Sequence, residues 1–179
     1  VTGGACFIGS NLIDRLLEDD NNHIVCIDSF DDFYDPLIKE KNIRNHLGND
    51  RYRLVRGDIR DNGLLGSLFG EEKFDVVFHL AARAGVRPSL KDPLLYEDVN
   101  IKGTLSILEM IRKHPVESFV FASSSSVYGI NNKVPFSEDD RIEFPISPYA
   151  ASKRACELFC YTYHHLYGIP TVCLRFFTV

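Results

Sequence analysis

The chain has 179 residues, 45% of them hydrophobic and 25% charged, with a formal net charge of -5. That length suits one domain with a sizeable core. The acidic balance and the lack of a basic cluster argue against a nucleic-acid partner. No apolar run is long enough to span a bilayer and no secretory leader is visible, so any membrane anchor would lie outside this stretch. The five cysteines are scattered. Cys156 and Cys160 have helical i, i+4 spacing but no third metal ligand nearby, so buried free thiols in a reducing cytoplasm are expected, with no metal site.

Residues 1–10, VTGGACFIGS, read as the end of a buried strand, a glycine turn and the start of an amphipathic helix bearing Phe7, Ile8, Leu12, Ile13, Leu16 and Leu17. A turn without side chains ahead of a helix lets backbone N–H groups and the helix dipole face a diphosphate. The next strand, 23–28, ends on Asp28, the acid that a dinucleotide site needs about 20 residues after its glycines. A polar and aromatic loop follows, then a helix over 36–47, a strand over 52–59 and a helix over 61–69. The strand at 74–80 is nearly continuous in apolar residues, as for a strand covered on both faces. A long helix over 93–114, a strand over 118–124, a loop, a helix over 148–167 and a last apolar strand complete the chain.

This alternation predicts an α/β fold, a doubly wound parallel sheet with helices on both faces. Ligands bind such sheets outside the carboxyl ends of the strands. The residues at those ends are the glycine turn, Asp28, Asp58, Leu80, Ala81, Ala82, residues 123–126 and Thr178. The chain starts at the tail of a strand and stops inside an apolar run, so a piece of a longer protein, cut at both ends, is expected.

Tyr149 and Lys153 lie four apart and share a helical face. Ser147 suits the N-cap and Pro148 the first helical position. A cation beside the phenol, near an oxidised nicotinamide, would lower its pKa from about 10 and make Tyr149 a base near neutral pH. The alternative is an ordinary surface Tyr–Lys pair; a serine run at the preceding strand's end and the glycine turn favour catalysis.

The ordered stretches TGGACFIG, CIDSF, RGDIRD, HLAARAGVR, VNIKGT, FASSSSVYG, SPYAASK and LRFFTV resemble the extended short-chain dehydrogenase/reductases of the nucleotide-sugar epimerase branch. The resemblance implies a Rossmann-like NAD domain whose C-terminal substrate domain lies outside this stretch. It implies that Gly3, Cys6, Phe7, Ile8 and Gly9 form the diphosphate turn, although the family has glycine where Cys6 stands. Asp28 would bind the adenosine ribose and repel a 2′-phosphate, favouring NAD over NADP. Asp58 and Ile59 would flank the adenine, Leu80, Ala81 and Ala82 would pass the ribose and diphosphate, and Asn100 would lie near the cofactor. Asp58 as a turn cap and Asn100 as a helix–helix hydrogen bond are the structural alternatives. Ser124 would hold the sugar oxygen, Tyr149 exchange its proton, and Lys153 grip the nicotinamide ribose.

Relatives that dehydrate or decarboxylate the sugar carry an Asp-Glu pair or a Glu between the catalytic Ser/Thr and V-Y-G. Ser125 and Ser126 stand there instead and have no pKa suited to a second proton transfer. What remains is epimerisation at C4 through a 4-keto sugar, without a metal. AGVRPS and RFFTV resemble the UDP-glucuronate 4-epimerase subfamily, with Arg87 and Thr178 facing a diphosphate or uronate carboxylate; the alternative for Arg87 is a cap on loop carbonyls. UDP-glucose 4-epimerase activity and a non-catalytic NAD-binding fragment are the other readings. A cytoplasmic homodimer, paired through the long helix and the Tyr149 helix, is the family expectation. Cys6 is expected to crowd the diphosphate and weaken NAD.

Overall fold

The computed structural model describes all of Val1–Val179. Five strands, β1 (Ile24–Asp28), β2 (Tyr52–Arg56), β3 (Val76–His79), β4 (Ser118–Ser124) and β5 (Thr171–Phe176), pair in parallel as β1 with β2 and as β3, β4, β5. Residues 1–3 join the two groups. Thr2 bridges to Ile27 on one side and His79 on the other, with Gly3 N donating to Ile27 O at 2.8 Å and Thr2 N to Phe78 O at 2.9 Å. The sheet therefore runs β2, β1, residues 1–3, β3, β4, β5, the doubly wound order that was expected. Its switch point falls at the centre, where the glycine turn emerges.

The helices are α1 (Phe7–Leu16), α2 (Pro36–Ile43), α3 (Asn62–Glu71), α4 (Val86–Ser89), α5 (Pro93–Tyr96), α6 (Gly103–Lys113) and α7 (Pro148–Tyr167). On one face of the sheet α1 covers β1 and β2 through Ile13, Leu17, Cys26 and Tyr52. On the other, α3, α6 and α7 bury Leu65, Ile107, Leu108, Ile111, Phe119 and Cys156 in the main core. Truncating a buried phenylalanine such as Phe119 to Ala typically costs about 3–5 kcal/mol. Helix α7 is punctuated as its sequence requires: Ser147 accepts from Ala150 N at 3.1 Å, Pro148 opens it, and Gly168 ends it with φ 70°. No helix is long and apolar enough to cross a membrane.

Four segments differ from expectation. The long helix is interrupted, because Glu97–Lys102 forms a π-helical stretch between α5 and α6. Strand β2 stops at Arg56 because Asp58 folds the chain back, accepting from Arg60 N at 2.8 Å. Short helices also form at α4 and at Ser125–Tyr128, the latter nucleated when Ser124 Oγ accepts from Ser126 N at 3.2 Å. The five cysteines are free thiols; Cys26, Cys156 and Cys160 are buried, while Cys6 and Cys173 are partly exposed.

Candidate active site

The carboxyl ends of the strands enclose two adjoining cavities. The larger, about 640 Å³, is lined by the glycine turn and the start of α1 on one side and by Ser124, Tyr149, Lys153 and Thr178 on the other. The smaller, about 80 Å³, lies beyond β1 and is lined by Asp28, Asp58, Ile59, Ala81 and Ala82. Gly3, Cys6, Tyr34, Lys39 and Ala82 line both. The turn is tight enough to need its glycines. Gly3 has φ +69°, and a Cβ there would sit 2.7 Å from Ala81 N; a Cβ on Gly9 would sit 2.4 Å from Gly3 O. No side chain caps α1, so the amides of its first turn, from Phe7, Ile8 and Gly9, are left for an anion. A dinucleotide diphosphate fits this cradle.

Cys6 has φ -80° and ψ 173°, extended backbone that any residue adopts. Its Cβ and sulfur, not its backbone, are what the family glycine would lack. The sulfur leans 3.9 Å from Asp28 Oδ2, which also accepts from Ala5 N at 3.1 Å. Burial, with Asp28 nearby, pushes the thiol up to about 11, so it stays protonated. Asp28 Oδ1 accepts from Phe30 N at 2.9 Å and faces Lys39 Nζ at 3.5 Å. Asp28 is thus held by two short backbone contacts and two long side-chain contacts. Lys39 also neutralises Asp28, so repulsion of a 2′-phosphate is weaker than Asp28 alone implies. Asp58 is spent on Arg60, which it receives at 2.6 to 2.9 Å through three nitrogens. This is the turn-capping alternative, and Arg60 holds the carboxyl below its usual range against the opposing effect of burial.

On the chemical side, Ser124 Oγ accepts from Ser126 N at 3.2 Å and from Ser126 Oγ at 3.0 Å. Its own proton is not used in these contacts, and Ser124 stands close enough to the Tyr149 phenol to favour its ionised form. Lys153 is buried, donates to Ala122 O at 2.7 Å and lies 4.9 Å from the centre of the Phe121 ring. Burial lowers its pKa to about 8. Burial raises the Tyr149 pKa and nearby Ser124 offsets this only in part; the lowering expected from the sequence rests on an oxidised nicotinamide as well as on Lys153. The Lys153 cation is engaged by a carbonyl and an aromatic face instead of the phenol.

Other candidate residues serve from behind. Asn100 is 1% exposed. Its amide is used up on Arg83 N at 2.7 Å, Arg83 O at 3.1 Å and Ser152 Oγ at 3.0 Å, so it fixes the loop after β3 to α7. Ser126 positions Ser124, and neither Ser125 nor Ser126 lines the larger cavity. Arg87 is exposed on α4, outside the lining, and caps no carbonyl. Leu80 and Thr178 do line the larger cavity.

Sequence reasoning missed Lys39, Arg83, His79 and Glu157. His79 is buried and sits between Thr2 Oγ1, 2.7 Å from Nδ1, and Thr104 Oγ1, 3.1 Å from Nε2. Thr104 gives its proton to Asn100 O at 2.6 Å, so Nε2 donates and Nδ1 accepts. Burial, with Lys153 nearby, depresses its pKa to about 3; the ring is neutral. Glu157, two turns beyond Tyr149, receives Ser123 Oγ at 2.6 Å, Arg175 Nε at 2.9 Å and Arg154 Nη1 at 3.0 Å. These partners keep its pKa low although burial opposes it. Glu157 thus ties α7 to the ends of β4 and β5. Its i+4 step from Lys153 was the available signal.

The model of the GDP-mannose 4,6 dehydratase family matches residues 1–179. The chain is 44% identical to UDP-glucuronate 4-epimerase 1 of Arabidopsis thaliana over 180 residues, 100% of this chain and 42% of the relative. It is 40% identical to the UDP-glucuronate 4-epimerase of Thermodesulfobacterium geofontis over 179 residues, 100% of this chain and 55% of the relative. The crystal structure of UDP-glucuronic acid 4-epimerase from Bacillus cereus, in complex with UDP-glucuronic acid and NAD, superposes with a TM-score of 0.92 at 39% identity, over 99% of this chain and 55% of that one. The chain spans about half the length of the curated relatives it matches. With a full-length family match and the doubly wound sheet in place, the chain belongs to the GDP-mannose 4,6-dehydratase family of the short-chain dehydrogenase/reductase superfamily.

Proposed function

We propose that this chain is the NAD-binding half of a nucleotide-sugar 4-epimerase that interconverts UDP-glucuronate and UDP-galacturonate. The observation that carries this reading is the meeting of Ser124, Tyr149 and Lys153 with an uncapped helix start and a glycine turn on one cavity. Gly3, Gly9 and the amides of Phe7 and Ile8 hold the diphosphate, Asp28 the adenosine ribose, and Lys153 the nicotinamide ribose with the donors that Ala122 leaves free. Bound NAD supplies the reversible hydrogen acceptor for C4 and, when oxidised, a positive charge beside the phenol. Ser124 holds the 4-oxygen. Tyr149 takes the hydroxyl proton and later returns it to the other epimer. Ser125 and Ser126 offer no acid for elimination or decarboxylation.

The uronate is supported by the relatives' substrate and by Thr178 on the cavity wall; Arg87 would have to swing inward to reach it. The rest of the longer protein would grip the uridine. Two copies would pair through α5, α6 and α7, where Leu94, Leu158 and Tyr161 stand exposed, and the enzyme would work in the cytoplasm; sedimentation as a strict monomer would remove the pairing. Incubating the full-length protein with UDP-glucuronate is expected to yield UDP-galacturonate by chromatography. Isomerisation of UDP-glucose alone would favour the second substrate, and no isomerised UDP-sugar at all would overturn the reaction.

A further inference from the structure

The two loops that flank the smaller cavity are tied across its mouth. The loop after β1 carries Asp31, Phe33 and Tyr34, and the loop after β3 carries Arg83. Arg83 Nη1 donates to Asp31 Oδ1, a pair 52 positions apart in sequence. The same guanidinium lies 4.8 Å from the centre of the Phe33 ring. Both anchors are fixed. Asp31 Oδ1 also accepts from Phe33 N at 2.8 Å, folding its loop under its own carboxylate. Asn100 grips the Arg83 backbone at both N–H and carbonyl. The π-helical stretch that presents Asn100 thus serves to hold the arginine's stem while its head reaches over.

A second observation points to a ligand. Arg83 Nε is buried without a hydrogen-bond partner, while the side chain lines the smaller cavity with Asp28 and Asp58. A buried donor without an acceptor is unfavourable, and a nucleoside in that cavity brings ring nitrogens and hydroxyl oxygens able to accept. The loop that Arg83 holds also places Tyr34 on the wall of the larger cavity. One ion pair therefore orders a strap that runs from the adenosine end of the cleft towards its chemical end.

On the reading that this cleft holds NAD, we propose that Arg83 and Asp31 form a latch over the adenosine end of the cofactor and set its residence time. The reaction needs that residence. A 4-epimerase that released the reduced cofactor before the return transfer would strand a 4-keto sugar, so the dinucleotide must outstay the inversion. The latch opens to admit NAD and closes over it, and its strength acts on release more than on the chemical step.

The test is a double-mutant cycle in the full-length protein: Arg83→Gln, Asp31→Asn and both together. Release is measured without sugar, as the loss of bound NADH fluorescence after adding excess NAD. Each single variant is expected to release NADH about five- to tenfold faster, as for loss of a half-buried ion pair with an aromatic contact. The double variant is expected to be no faster than either single. Additive effects, or wild-type release in Asp31→Asn, would overturn the latch. So would unchanged release with a lowered melting temperature in both singles, which would make the pair a brace for the fold. A wild-type protein that binds no NADH at all would instead bring down the cofactor reading, and the latch with it.

Discussion

At the β1–β2 end of the cleft each charge faces a countercharge: Asp28 with Lys39, Arg56 with Glu40, Asp58 with Arg60, Asp31 with Arg83. At the β4–α7 end, the two groups that matter stand apart from countercharges. Lys153 donates to a carbonyl, and the group beside the Tyr149 phenol is the neutral Ser124. The nearest ionic cluster, around Glu157, lies a turn beyond Lys153 and two beyond Tyr149 on α7. Paired charges hold their side chains in place and so define a shape that recognises. Buried groups without countercharge shift towards neutrality and so can trade protons. On the proposed function, the same sheet thus carries a binding end and a reacting end, separated by what burial is allowed to do to charge.

That contrast can be broken most severely at the phenol. Tyr149→Phe in the full-length protein is expected to lower kcat on UDP-glucuronate about 10²–10⁴-fold, while NAD content, read by absorbance after denaturation, stays at the wild-type level. Unchanged turnover would remove Tyr149 from the chemistry. The ionic cluster behind it is the next largest target. Glu157→Gln leaves two guanidinium groups short of a carboxylate and is expected to cost about 3 kcal/mol in urea unfolding; a loss under about 0.5 kcal/mol, the range of an ordinary surface change, would show the cluster to be incidental.

Lys153 sharpens the contrast through pH. Its folded pKa of about 8 lies below the ordinary 10.5, so between those values the unfolded chain holds the extra proton. Stability is therefore lowest below pH 8 and rises as pH climbs towards 10.5, by up to about 3 kcal/mol from this one group. Lys153→Met is expected to abolish that rise in urea titrations at a series of pH values. The smallest effect belongs to the binding end. Cys6→Gly removes the sulfur that leans on Asp28 and is expected to tighten NAD about tenfold by equilibrium titration; equal affinity would show that the cradle already tolerates the thiol.

Much of this was legible in the residues. Alternating strand and helix patterns place the sheet, the Ser147-Pro148 start of α7 and the residues at the strand ends, because those features follow from local periodicity and capping. Helix α4 is only four residues long and leaves no periodic trace. Ser123 with Glu157, Arg83 with Asp31 and Lys39 with Asp28 are joined through the fold, and no spacing rule announces them. The contact of Lys153 was not legible for a related reason: spacing puts Lys153 on the Tyr149 face of the helix, but where the ammonium points is decided by Ala122, on β4.

The π-helical stretch has a further consequence, in the arithmetic of rotation. An α-helix turns by roughly 100° per residue, and Glu97–Lys102 holds one residue more than a regular turn spends. Deleting it would swing one flank by that angle against the other. Either Asn100 would leave Arg83 and Ser152, or Ile107, Leu108 and Ile111 would rotate out of the core. Two sets of contacts, one facing the loop and one facing the sheet, keep different time on a single helix, and the wide turn is the leap day that reconciles them.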